Sequence, residues 1–363
     1  MTSLSREHVQ HLLRLWREPY QQQDLVASRA LKSVSVENGR IGLNITLGFP
    51  ADGYLRECSR ALRDYLMTHS GATGVDIALD WKVRAHGVQG TLEPLPGIRN
   101  IIAVASGKGG VGKSTTSANL ALALSAEGAR VGILDADIYG PSQPRMMGVT
   151  GRPHSDDGKK MEPLQGHGIQ IMSVGFLVDE DTPVIWRGSM VTKALTQLLR
   201  QTRWQDLDYL IVDLPPGTGD IQLTLAQQIP VSGAVIVTTP QDLALLDARK
   251  ALRMFEKVEI PVLGVIENMS THVCSQCGHM EPIFGEGGGQ RMAEDCQVEL
   301  LGQLPLEMAI RAQADSGRPT VVAAPEGPAA RLYRDLARRT AARLARRSLD
   351  HRERFPRIVV QNQ

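Results

Sequence analysis

One stretch constrains this chain more than any other: Ser106-Gly107-Lys108-Gly109-Gly110-Val111-Gly112-Lys113-Ser114-Thr115. It has the form of a phosphate-binding loop with a second lysine near its start. An apolar run over residues 101–105 precedes it and reads as a buried strand, and a helical pattern over 118–126 follows. Strand, glycine-rich loop and helix in that order are the context in which such a loop binds phosphate. The glycines let the backbone wrap closely, so that successive N–H groups face inward, and the helix start adds its positive dipole end. Residues Gly107 to Thr115 are therefore the expected nucleotide contacts. Lys113 is placed to reach the β- and γ-phosphates of ATP, and Ser114 to hold Mg²⁺.

The rest of the chain fits an α/β protein built around that loop. Apolar runs at 101–105, 130–134, 169–174, 209–212, 234–238, 262–267 and 300–304 alternate with helical patterns. Continuous apolar runs suit strands buried on both faces, which predicts a mostly parallel sheet with helices on each side. Ligands bind such sheets beyond the carboxyl ends of the strands. The loop, Asp135, Asp213 and Asn268 all fall there.

Residues 1–86 read as a separate small α+β unit. Val9, Leu12, Leu13 and Trp16 have helical spacing. Strands over 31–37 and 40–47 flank Asn38-Gly39, a strong hairpin signal. A helix over 52–67 and a strand over 75–81 follow. Residues 87–100, with glycines, two prolines and no sustained period, form a linker. The ATPase unit is expected over 101–347 and a basic tail over 348–363.

Bulk properties exclude several classes. The 363 residues are 42% hydrophobic and 22% charged, ordinary for a globular protein. A net charge of +1 predicts no strong attraction to nucleic acid or membrane. No apolar run approaches the ~18 residues needed to span a bilayer. Residues 1–23 lack a secretory signal and carry Glu7 and Glu18, so the expected location is the cytoplasm.

Two acidic segments complete the nucleotide site. Asp135 and Asp137 alternate at a strand end, so one can face the γ-phosphate and orient a water. Asp213 ends the run 209–212 and is the expected second Mg²⁺ contact. The Pro215-Pro216-Gly217-Thr218-Gly219 segment after it reads as a loop that senses the γ-phosphate.

The four cysteines are too few for a disulfide framework. Cys274 and Cys277 lie in a polar loop, with a glycine after them. Two thiolates at this spacing bind one face of a soft metal centre. Spacing alone leaves an iron–sulfur cluster, structural zinc and a redox dithiol open. Two ligands do not complete a four-thiolate site, and a homodimer supplies the missing pair most simply. Cys58 and Cys296 read as core residues, and His279 as a solvated loop histidine.

Taken together, these motifs resemble one family closely. The loop with its extra lysine is similar to the deviant phosphate-loop ATPases, which include the Min and Par partition proteins. Asp135-Ala136-Asp137-Ile138-Tyr139-Gly140-Pro141-Ser142, Asp213-Leu214-Pro215-Pro216-Gly217-Thr218-Gly219-Asp220, Asn268-Met269-Ser270 and the Cys274/Cys277 pair resemble the Mrp/ApbC iron–sulfur carriers. The N-terminal unit resembles the MIP18-like domain that precedes the ATPase in bacterial members.

The resemblance implies that Lys108 reaches the partner's nucleotide across a dimer. It implies that Asp137 positions water, that Asp213 supports Mg²⁺, and that Asn268 and Pro305 lie at the adenine. It further implies that Cys274 and Cys277 hold a four-iron four-sulfur cluster at a homodimer interface. The partners are then apo iron–sulfur proteins and cluster scaffold proteins, with no nucleic acid or membrane. Relatives of the N-terminal unit often carry a cysteine where this chain has residues 48–53, without a thiol, so a docking or regulatory role is expected there.

Ten arginines between Arg331 and Arg357, with Leu332, Leu336 and Leu344, predict a basic amphipathic helix packed on the sheet. The competing reading is a partition-type ATPase that binds membrane or DNA and holds zinc at its cysteines. A third is an ATP-gated scaffold that does not hydrolyse.

Overall fold

The computed structural model describes residues 4–90, 92–177, 188–274 and 276–347. The basic tail expected over 348–363 lies outside them.

In the N-terminal unit, β1 (Leu31–Glu37) and β2 (Arg40–Leu47) pair antiparallel, with Glu37 opposite Arg40. The two residues between them, Asn38 and Gly39, have φ of 49° and 76°. Those angles are what a tight two-residue hairpin turn requires. The helix Leu55–Ser70 stops on Gly71 in the left-handed region, and β3 (Gly74–Trp81) then pairs parallel to β2. The helix starts later than its sequence pattern, because Asp52 is engaged elsewhere. Its carboxylate accepts the Trp81 indole N–H at 2.6 Å, and its own N–H donates to the Glu127 carbonyl.

The larger unit is built on β4 (Ile98–Ala105), β5 (Val131–Asp135), β6 (Leu164–Gly166), β7 (Ile169–Ser173), β8 (Leu207–Asp213), β9 (Gly233–Thr238), β10 (Val262–Glu267) and β11 (Leu300–Gln303). They form one sheet in the order β11-β10-β9-β4-β8-β5-β7-β6, parallel except for the β6–β7 edge pair. All seven expected runs lie in the sheet. The eighth strand, β6, is three residues long and has no apolar run to announce it.

Side chains alternate between two cores. Ile102, Val104, Ile133, Tyr209 and Ile211 face one, and Ile101, Ala103, Leu134, Leu210 and Val212 face the other. Burial on both faces explains the unbroken apolar runs.

Strand β4 begins inside the expected linker, and the rest of that segment is fastened down. The Gln89 amide donates to the carbonyls of Ala226 and Ile229 at 2.8 and 2.6 Å and accepts from Val231 N–H at 2.9 Å. Asn100 donates to the Arg84 carbonyl and accepts from His86 N–H.

The helix Pro328–Ala345 packs on the helix Lys113–Ala126, as expected for a helix on the sheet. Its buried stripe runs through Ala330, Tyr333, Ala337, Ala341 and Leu344. Leu336 and Leu344 belong to the apolar side, but Leu332 falls one residue off the stripe and is 42% exposed.

The core on this side of the sheet continues into the N-terminal unit through Leu47, Phe49 and Leu62. Glu127, fully buried, ties the seam. Its carboxylate accepts from Arg334 at 2.8 Å, Arg338 at 2.7 Å and Gly53 N–H at 3.0 Å. Arg338 also donates to the Tyr20 hydroxyl and lies 5.7 Å from the Tyr54 ring centroid.

Removing one partner of a buried ion pair strands the other charge. Glu127→Ala should therefore cost ~3–5 kcal/mol of stability by urea denaturation. A loss under ~1 kcal/mol, the size of an exposed pair, would show that the triad is solvated.

Candidate functional site

Strand β4 runs straight into the glycine-rich loop, and the helix Lys113–Ala126 starts on Gly112, whose φ is 80°. A β-carbon at Gly112 would overlap the Asn268 side-chain amide. One at Gly107 would overlap the backbone of Asp247 in the helix Asp242–Lys257. Close approach thus requires glycine at both positions. Lys108, Gly109 and Gly110 are exposed, Val111 is buried, and Thr115 is half-buried.

Lys113 is only 5% exposed, and its ammonium sits 2.5 Å from Asp213 Oδ1 and 3.2 Å from Ser114 Oγ. Asp213 is fully buried and also accepts from Ser117 Oγ at 2.9 Å and Gln143 Nε2 at 3.0 Å. A cation therefore already stands between a hydroxyl and a carboxylate. Hard oxygens of this kind are the type that suits Mg²⁺.

Register places Asp135 directly opposite Asp213, at the ends of β5 and β8. Asp135 accepts four hydrogen bonds, from Ser142 N–H, Gln143 N–H, Ser173 Oγ and Asp137 N–H, at 3.0–3.2 Å. Its carboxylate is consumed in shaping the turn. Asp137, just past the strand and half-buried, accepts from the backbone N–H groups of Gly140 and Tyr139. Burial raises its pKa, with Lys113 opposing and Asp213 reinforcing the shift.

The segment after β8 folds back on the loop. Gly217 N–H donates to the Ser106 carbonyl at 2.9 Å, and Gln222 holds the Pro216 carbonyl at 2.5 Å.

On the other flank, Asn268 follows β10 and donates to the Val111 carbonyl at 2.8 Å. Pro305 lies beside it, because Ser270 N–H donates to the Leu304 carbonyl and Leu306 N–H to the Thr271 carbonyl. The chain then enters a short ribbon, His272–Val273 against Met280–Glu281, which carries the two cysteines at its tip.

Gly278, at φ 72°, closes that turn by donating to the Cys274 carbonyl at 2.8 Å. Backbone N–H groups of Cys277 and Gln276, with the Cys277 side chain, hold the Cys274 thiol below its usual pKa. Cys277 is exposed. Both thiols are therefore available and one is biased toward thiolate, the form that binds metal.

Cys58 is buried, and burial followed by the nearby Glu18 pushes its thiol up to about 12. Cys296 caps the helix Gly288–Asp295. Among the described residues, no three metal-ligating side chains of Cys, His, Asp or Glu gather at one point. One chain thus offers two thiols.

A family model of the ParA group, described as the NUBPL iron-transfer P-loop NTPase, matches residues 97–341. The chain belongs to this family. The iron–sulfur cluster carrier protein of Pseudomonas fragi is 59% identical over 269 residues, 74% of this chain and 94% of that one. The protein of the same name from Escherichia coli K12 is 51% identical over 336 residues, 91% and 89% of the two chains. A nucleotide-binding protein of Archaeoglobus fulgidus, solved with ADP, is 39% identical with a TM-score of 0.56. That match covers 64% of this chain and 90% of the other.

Two residues in this P-loop NTPase escaped sequence reasoning. Gln143 is fully buried and bridges Asp213 to the Ser114 carbonyl at 3.0 Å to each. Ser117 supports Asp213 from one turn into the helix. An uncharged glutamine at the start of the short helix Gln143–Met146 and a serine inside a helix match no motif, so only their contacts reveal them.

Burial, reinforced by Asp213, raises Asp135 to about 7. The folded protein holds that proton more tightly than the unfolded chain. The contribution is therefore fully present below ~4, the unfolded carboxylate range, and is lost as pH climbs to about 7. Compared with Asp135→Asn, the nucleotide-free wild type should lose stability steadily over that window. A difference between the two urea midpoints that does not change with pH would contradict this.

Proposed function

We propose that this chain is an ATP-binding, slowly hydrolysing carrier that holds a four-iron four-sulfur cluster between two copies of itself and delivers it to apo-proteins. The observation that carries this reading is a short mechanical link. Asn268, whose amide grips the phosphate loop, lies six residues before Cys274 on one segment. That segment is pinned by the Ser270, Thr271 and His272 contacts to residues 304–306. A change in the loop is thereby passed to the thiols.

In this reading, Lys113 leaves Asp213 and binds the phosphates of ATP, the loop N–H groups cradle them, and exposed Lys108 reaches the partner's nucleotide. Ser114 and Asp213 would hold Mg²⁺, which supplies charge neutralisation at the phosphates. Asp137 orients the attacking water. The carboxamide of Asn268 and the ring of Pro305 border the adenine. Loss of the γ-phosphate releases the 214–219 segment, which touches the loop at Ser106. The cluster is cargo, bound by Cys274 and Cys277 of each copy. Relatives sharing half or more of their residues with this chain are named as carriers, which supports this over the partition-type reading.

The test is transfer. Protein loaded anaerobically with iron and sulfide, then freed of both by gel filtration, is mixed with an apo-enzyme that needs a four-iron cluster. Activity should return in proportion to the carrier added. Recovery no faster than with equal free iron and sulfide would refute the carrier function.

A further inference from the structure

A cavity of about 380 Å³ opens at the seam between the N-terminal unit and the end of the C-terminal helix. Among the described residues, five cationic side chains line it and no carboxylate does. Arg29, Lys82 and Arg84 come from the N-terminal unit, and Arg346 and Arg347 from the helix end. Among the described residues, none of the five has an ion pair or a side-chain hydrogen bond. All five are exposed, and what sets them apart is their convergence on one cavity, whereas Arg99 and Arg130 pair with Asp206 and Asp208, and Arg203 with Asp157 and Glu162. Burial, then the neighbouring Arg343, disfavours charge on Arg346 and Arg347.

A second observation points the same way. Gln21 lines the cavity and is 3% exposed, yet its side-chain oxygen has no hydrogen-bond partner. The buried hydroxyl of Ser28, also on the wall, has none either. Buried polar atoms are almost always paired, so two orphans beside one cationic wall leave hydrogen-bonding positions there for a ligand to use. The hydroxyl can donate, and the amide can present its NH₂ after a flip.

We propose that this cavity binds a compact oligophosphate, such as inorganic pyrophosphate or triphosphate. Guanidinium forks match phosphate oxygens in pairs. Five cations suit a multiply charged anion. Among the described residues no Phe, Tyr or Trp lines the walls, so these residues offer a nucleobase no stacking platform. The volume lies at the small end of the ~300–1,000 Å³ usual for ligand pockets. Since the cations come from both units, a bound polyanion fastens the N-terminal unit to the ATPase unit.

The full-length protein is first saturated with Mg-ADP to fill the phosphate loop. It is then titrated calorimetrically with inorganic triphosphate at constant free Mg²⁺. One further site per chain is expected, its affinity falling with added salt. Lys82→Ala/Arg84→Ala should weaken that site by about tenfold or more, with ADP binding unchanged as the control for folding. Triphosphate should also raise the melting temperature of the wild type and not that of the variant. Absence of a second site, or a second site the variant leaves intact, overturns the proposal. So does orthophosphate binding there as tightly as triphosphate.

Discussion

Replacing Cys274 and Cys277 together by alanine should abolish cluster uptake and leave ATP binding unchanged. No replacement ligand set exists: no three ligating side chains gather among the described residues. Cys58 is sealed in the core of the N-terminal unit with its thiol pushed up to about 12. The loss should be complete because, in the proposed carrier, these two thiols are what each chain contributes to the cluster. Stability should stay within ~0.5 kcal/mol, as for other surface changes, since Cys277 is exposed and Cys274 is held by backbone bonds to His279 and Gly278 that alanine keeps. Iron and sulfide analysis, with the broad absorbance near ~400 nm of thiolate-ligated clusters, checks it. A double variant that still binds both elements stoichiometrically would show that the ligands lie elsewhere.

Lys113→Ala should cut ATP turnover by about 10²–10³-fold, the usual cost of removing one group that stabilises transition-state charge. It should also destabilise the nucleotide-free protein. Asp213 is fully buried, and the Lys113 ammonium is the positive charge within bonding reach. Stranding that carboxylate costs ~3–5 kcal/mol, less whatever Ser117 and Gln143 recover by their hydrogen bonds.

The two effects separate in Lys113→Ala/Asp213→Asn. Neutralising Asp213 should restore most of the stability and none of the turnover. Steady-state phosphate release and urea melts read the two quantities independently. Turnover within threefold of wild type in Lys113→Ala, about 0.7 kcal/mol of barrier, would remove the lysine from the chemistry.

The placement of these residues in the fold was legible in the sequence because the motifs have fixed spacing. The phosphate loop, Asp137, Asp213 and Asn268 lie at or just after the ends of sheet strands, and unbroken apolar runs reveal those strands. The hairpin at Asn38-Gly39 was legible for a local reason: few other dipeptides accept positive φ twice. What the sequence hid is tertiary. Asp135 and Asp137 look equivalent on paper, but four hydrogen bonds commit Asp135 to the turn. Gln89 and Asn100 look like linker residues, yet each ties distant backbone together. Glu127 reads as the end of one helix, while its partners, Arg334 and Arg338, lie more than 200 residues on.

In the proposed carrier, two chains share one cluster under the control of ATP. Sedimentation equilibrium of the anaerobically loaded protein, with iron measured on the same sample, tests it most directly. A species of two chains carrying one four-iron cluster is expected, reverting to single chains when the iron is chelated. A loaded species of one chain, holding its own complete cluster, would contradict it.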